Sequence, residues 1–102
     1  MGIACPQLSV FMYVAQRNDL EAQIARISES RAILSYELNN LMRNEEWYKD
    51  PRVKLVQIKD NNFDMEQKRL ETNLKAVVTN LEAQEKLVSN NVKEEFGYKL
   101  SL

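Results

Sequence analysis

The chain has 102 residues, with 14 basic and 15 acidic side chains, no His, one Cys, two Gly and two Pro. One domain is the expected count at that length. A single Cys excludes an internal disulfide, and a chain without His lacks the ordinary zinc sites and the usual activator of a nucleophile. A net charge of −1 gives no general attraction for a polyanion, and 44% hydrophobic with 28% charged residues is neither a disordered nor a membrane-embedded composition.

The first fifteen positions carry no charge, and Val10-Phe11-Met12-Tyr13-Val14-Ala15 is a continuous apolar run. A cleavable secretory signal would begin with a basic residue, whereas the first basic residue is Arg17. The run is also far short of the ~20 apolar residues that span a bilayer. The expected location is therefore the cytoplasm, or outside it by a route that uses no cleavable Sec-type signal. Gly2 and Cys5 invite the question of lipidation, but Pro6 stands where the acylation pattern has Ser or Thr, and no polybasic segment follows. Pro6 reads instead as a helix opener.

Leu20, Ile27, Leu34 and Leu41 fall seven apart, with Ile24 and Leu38 at the neighbouring seam position and Val10 and Tyr13 extending the stripe backward. Alternating steps of three and four make one narrow apolar seam on a helix. No Pro or Gly interrupts this stretch, so the pattern predicts a helix over about 7–46, ~60 Å long at ~1.5 Å per residue. A turn is expected at about 47–51. There Asp50 can cap a new helix, and Pro51 can occupy its first position, where a missing N–H costs nothing. Pro51 also disfavours a helical Asp50, which argues for a hairpin over one continuous rod. Trp47 and Tyr48 read as a small cap over the hairpin tip, the alternative being exposed aromatics that contact a partner.

The second helix is expected over about 52–96, with a candidate kink at Asp60-Asn61-Asn62 and a stop at Gly97. Its seam reads Leu70, Leu74, Val77, Leu81, Val88, Val92 and Phe96. Asp64/Lys68, Glu71/Lys75 and Glu82/Lys86 are acid-to-base pairs four apart, which meet only on a helix. With a turn centred near residue 50, the seams align Leu20 with Leu81, Ile24 with Val77 or Val78, Ile27 with Leu74 and Leu38 with Phe63. Arg17 and Arg31, the charges that intrude on the first seam, would lie near Glu85 and Glu71.

The expected fold is thus all-α: a long, coiled-coil-like antiparallel hairpin in a single domain, completed by oligomerisation. Two helices enclose no interior, and a thin seam stabilises poorly against ~1–2 kcal/mol of conformational entropy per ordered residue. Apolar residues at the chain ends need a cover. Val10, Phe11, Tyr13, Val14, Val88, Val92, Phe96 and Leu100 are accordingly the candidates for self-association, and Leu20, Ile24, Ile27, Leu34, Leu38, Leu74, Val77 and Leu81 the hairpin seam.

No constellation carries catalysis. Cys5 has no base, the glutamates sit among helix-spaced lysines, and there is no Gly-rich phosphate loop, so no enzyme, cofactor or metal is expected. Lys49, Arg52, Lys54 and Lys59 near Trp47 are diluted by Glu45, Glu46 and Asp50, and nucleic acid is not an expected partner. Membrane contact is not expected either, because residues 3–16 lack the basic polar face of an interfacial helix. Copies of the chain itself are the expected partners. The alternative is a coiled-coil adaptor or chaperone that holds a helical protein partner against the seam.

Asp50-Pro51 followed by Val53, Leu55 and Val56, and a closing stretch from Ala83-Gln84 to Phe96, resemble the turn and final helix of secreted bacterial filament subunits. The type III secretion needle subunits are short hairpins with a Pro-containing turn, and flagellin-type terminal helices are similar. The resemblance implies a self-assembling structural subunit of an exported filament or bundle. It implies no catalytic residue.

Overall fold

The computed structural model describes the backbone of residues 4–101 and the side-chain surroundings of 7–95 and of Gly97. The fold is all-α, an antiparallel hairpin of two long helices, with no strand among the described residues. Helix α1 spans Ala4–Leu41, a short 3-10 turn spans Trp47–Lys49, and α2 spans Pro51–Ser101. Pro6 lies in the first turn of α1, where backbone N–H groups have no helical acceptor, so the ring removes no bond.

Several boundaries differ from the sequence expectation. Helix α1 stops at Leu41 rather than near 46, and the turn runs over 42–50 rather than 47–51. The last turn tightens as Arg43 and Asn44 donate backbone bonds to the Asn40 and Leu41 carbonyls at 3.4 Å. Trp47 then folds back against the hydrophobic cluster of Leu34, Leu41, Val53 and Val56, which a helix continued to 46 would prevent. The Asp50 backbone N–H closes the 3-10 turn on the Trp47 carbonyl at 3.1 Å, while its carboxylate accepts from the Arg52 backbone N–H at 2.9 Å. Asp50 is extended, with φ −76 and ψ 117, as a helix N-cap requires.

Helix α2 runs unbroken through Asp60-Asn61-Asn62, so the helix does not restart there. It also passes through Gly97 to Ser101, and no glycine described has a positive φ. A glycine ends a helix by adopting the left-handed conformation. Gly97 does not adopt it, and so acts as an ordinary helical residue.

Two compact units divide the chain. The turn unit is Glu21–Thr72, and the terminal unit pairs Met1–Leu20 with Asn73–Leu102. In the turn unit, Leu34, Leu41, Val53 and Val56 form the buried cluster, with Leu38, Trp47 and Phe63 packed on it, and Ile27 and Leu70 are buried along the seam. In the terminal unit, Leu81 is buried.

Candidate functional site

Of the seam positions read from the sequence, Ile27, Leu34 and Leu81 are buried, and Leu20, Ile24, Leu38, Leu74 and Val77 are half-buried. The burial pattern along α2 steps through 81, 84, 88 and 91. The seam there passes through Gln84 and Asn91, and leaves Val92 outside it at 48% exposure. Among the self-association candidates, Phe11 and Val92 are exposed, while Val10, Tyr13, Val14 and Val88 are half-buried. Phe96 and Leu100 lie outside the residues whose side chains are described, as does Cys5; Gly2 lies outside the described backbone.

The terminal unit presents its apolar residues in two ways. Gln7, Val10 and Phe11 of α1 line an open groove with Glu85 and Val88 of α2. Phe11 is 75% exposed, Leu8 and Met12 on the same stretch of α1 are exposed as well, and Leu87 is exposed on α2. This follows from sequence: the apolar run at 10–15 exceeds the width of one seam, so a helix must turn part of it outward.

The turn unit carries a polar layer within its seam. The Arg31 guanidinium grips Asp60 in a two-pronged fork, Nε to Oδ1 at 2.8 Å and Nη2 to Oδ2 at 3.2 Å. Its Nη1 donates to Asp64 and to Gln67, each at 3.1 Å. Gln67 in turn donates to Glu71 at 3.2 Å, and Lys68 pairs with Asp64 at 2.9 Å. The Asp60 hydrogen bond, foremost, raises the Arg31 pKa above its ordinary value. The Asp64 carboxyl is held below the usual carboxylate range, first by its hydrogen bond from Lys68 and then by the nearby Arg31. The layer is partly solvated, and a two-pronged Arg–carboxylate contact is directional as well as attractive.

The ionic partners of Arg31 are therefore Asp60 and Asp64, with Glu71 one hydrogen bond further on. Arg17 is half-buried and makes no ion pair with Glu85 or any other carboxylate among the described residues. Both departures have one cause: in each unit the helices are aligned about one heptad away from the expected register. Asp60 and Gln67 could have been recognised as seam residues because they stand seven apart, level with Val53 and Leu74 in the same repeat.

At the tip, Trp47 is half-buried on the cluster and meets Tyr48 edge-on, with ring centroids 5.9 Å apart, and Tyr48 is 65% exposed. Among the described residues, no group of three or more His, Cys, Asp or Glu side chains could hold a metal ion. No described helix is long and apolar enough to cross a membrane. Compared with known proteins, the chain matches no family model, no curated protein and no solved structure.

Proposed function

We propose that this chain is a structural subunit that assembles with copies of itself through the apolar surface of its terminal unit, as a subunit of an exported bacterial filament or bundle. The observation that carries the reading is the exposure of Leu8, Phe11 and Met12 on one stretch of α1, at 62%, 75% and 56%. Adjacent large apolar side chains left in water mark contact surfaces. The groove that Val10 and Phe11 form with Val88 offers a matching recess. The mechanism is burial: apolar area uncovered in one copy is covered by the next. Head-to-tail contacts would extend a filament, and two-fold contacts would close a four-helix bundle.

Sedimentation velocity and electron microscopy of the purified chain test this directly. Defined oligomers or filaments are expected. Phe11→Asp with Met12→Asp should abolish them while leaving the far-ultraviolet helical signal intact, because both side chains are exposed. A chain that stays monomeric at high concentration overturns the proposal. A monomer that gains helicity only on adding a helical partner would support the adaptor reading instead.

A further inference from the structure

The two helices of the turn unit leave an open groove along one side. Ser30, Ile33 and Leu34 of α1 line it with Lys59, Phe63 and Glu66 of α2, and it runs on past Arg26 and Ile27. Its floor is apolar, and Ile33 stands at its edge, 62% exposed. Charged side chains rim it. Arg26 and Glu66 border one stretch, and Lys59 borders the other. Glu37 lies four residues beyond Ile33 and so on the same face of α1. Among the described residues, neither Arg26 nor Lys59 makes an ion pair in its own chain, and Glu66 reaches only Arg69, at 4.0 Å.

The order of these charges is self-complementary. On this face each helix carries a cation and then a carboxylate in chain order, Arg26 and Glu37 on α1, Lys59 and Glu66 on α2. The midpoint of the first pair falls between Arg31 and Ala32, and that of the second between Asn62 and Phe63. Arg31 holds Asp60 and Asp64, which straddle Asn62, so the two midpoints lie side by side in the hairpin. A two-fold axis through them, perpendicular to the helices, lays a second copy antiparallel over the groove. Arg26 then faces Glu37 of the second copy, Lys59 faces Glu66 of the second copy, and each contact is returned. Signs alternate around each end of the pair, since Arg26 borders the groove with Glu66 of its own chain. Near the axis Ile33 packs beside Ile33 and Asn62 beside Asn62. A parallel pair would match the charges too, but would set Ile33 against Asn61 and Asn62.

We infer that the turn unit pairs with the turn unit of a second copy, antiparallel and two-fold, across this groove, with Arg26 on Glu37 and Lys59 on Glu66 setting the register. Solvated rim charges contribute little affinity one by one, but they fix orientation and exclude wrong alignments. The inference therefore rests on the self-assembly reading above: the apolar contact of the terminal units gathers the copies, and the groove then aligns them. Two separate self-complementary contacts on one chain link it in both directions, and so extend an assembly instead of closing a pair.

The test uses the full chain in a Cys5→Ser background, at a concentration where sedimentation shows assembly, with a short bismaleimide as the probe. Asn62→Cys, beside the axis, should give a linked dimer, and Tyr48→Cys, at the tip, should give none. Adding Arg26→Glu with Lys59→Glu to the Asn62→Cys chain, or Glu37→Lys with Glu66→Lys, should cut the link about tenfold, and mixing the two variants should restore it. All four of these side chains are exposed, so circular dichroism should stay that of the parent. Assembly without a link through Asn62→Cys, a link through Tyr48→Cys, or charge variants that link as well alone as when mixed overturns the inference and leaves the self-assembly reading standing. A chain that does not assemble overturns both.

Discussion

In the turn unit Ile27, Leu34, Leu41, Val53, Val56 and Leu70 are buried; in the terminal unit, among the described residues, only Leu81 is. The same seven-residue repeat runs through both, so periodicity is not what separates them. Three features particular to the turn unit do. The chain reversal brings Leu41 and Val53 together near the tip. Trp47 lies over the cluster they join. Arg31 then ties α1 to α2 through Asp60 and Asp64 within the seam. In the terminal unit Leu8, Phe11, Met12, Leu87 and Val92 stand in solvent. A heptad seam orders two helices, and something at its edge must seal it. In the turn unit the seal is built into the chain, and in the terminal unit the proposed seal is another copy.

Truncating the seam tests that contrast hardest. Leu70 and Leu81 are 2% and 3% exposed. Leu70→Ala is expected to cost about 2–4 kcal/mol in a urea titration. Leu81→Ala should act more locally, opening the helix ends of the terminal unit. Hydrogen exchange should then accelerate over 73–95 while 21–72 keeps its protection. Equal acceleration in both units would erase the distinction drawn here.

The tip gives a smaller effect and a sharper pair. Trp47→Ala removes the cover over Leu41 and Val53 and is expected to cost about 1–3 kcal/mol. Tyr48→Ala, at an exposed neighbouring position, should stay within about 0.5 kcal/mol of the parent by the same titration. A Tyr48 effect as large as that of Trp47 would mean that the two rings act as one lid.

Acid gives the smallest effect, at Asp50 and Asp64 of the turn unit. The Asp50 carboxyl is held below its ordinary pKa, first by the Arg52 side chain and next by the Arg52 backbone N–H. Asp64 is lowered as well, chiefly by Lys68. A carboxyl whose folded pKa is depressed contributes stability that is fully present above the unfolded pKa, about 4, and is lost as pH falls through the folded value. Thermal midpoints should thus hold between pH 7 and 5 and decline below about pH 4. Asp50→Asn keeps a capping side chain and removes one titration, so its decline should be shallower. An unchanged slope would assign the acid sensitivity elsewhere.

The helical hairpin was legible because seam spacing survives any local irregularity, and Ile27, Leu34, Leu41, Leu70 and Leu81 are all buried where the repeat places them. The Asp50-Pro51 corner was legible because its chemistry is local to two residues. Register was not, since a repeat looks the same after every seven residues, and what distinguishes one alignment from the next is aperiodic: the contacts of Arg31 and the cluster under Trp47. The end of α1 was hidden for a related reason: no breaker follows Leu41, and what stops the helix is a tertiary contact of Trp47. Gly97 misled in the opposite sense, because a residue of low helix propensity continues a helix when the surrounding sequence forms one.

The bond after Asp50 has a chemical consequence of its own. An aspartyl-prolyl linkage is the peptide bond most readily hydrolysed by dilute acid, and the sequence contains one, between the N-cap of α2 and its first residue. Mild formic acid would sever the polypeptide at the corner and release each helix as its own fragment. Whether those pieces find one another again without a tether would weigh what the corner contributes against what the helices recognise in each other.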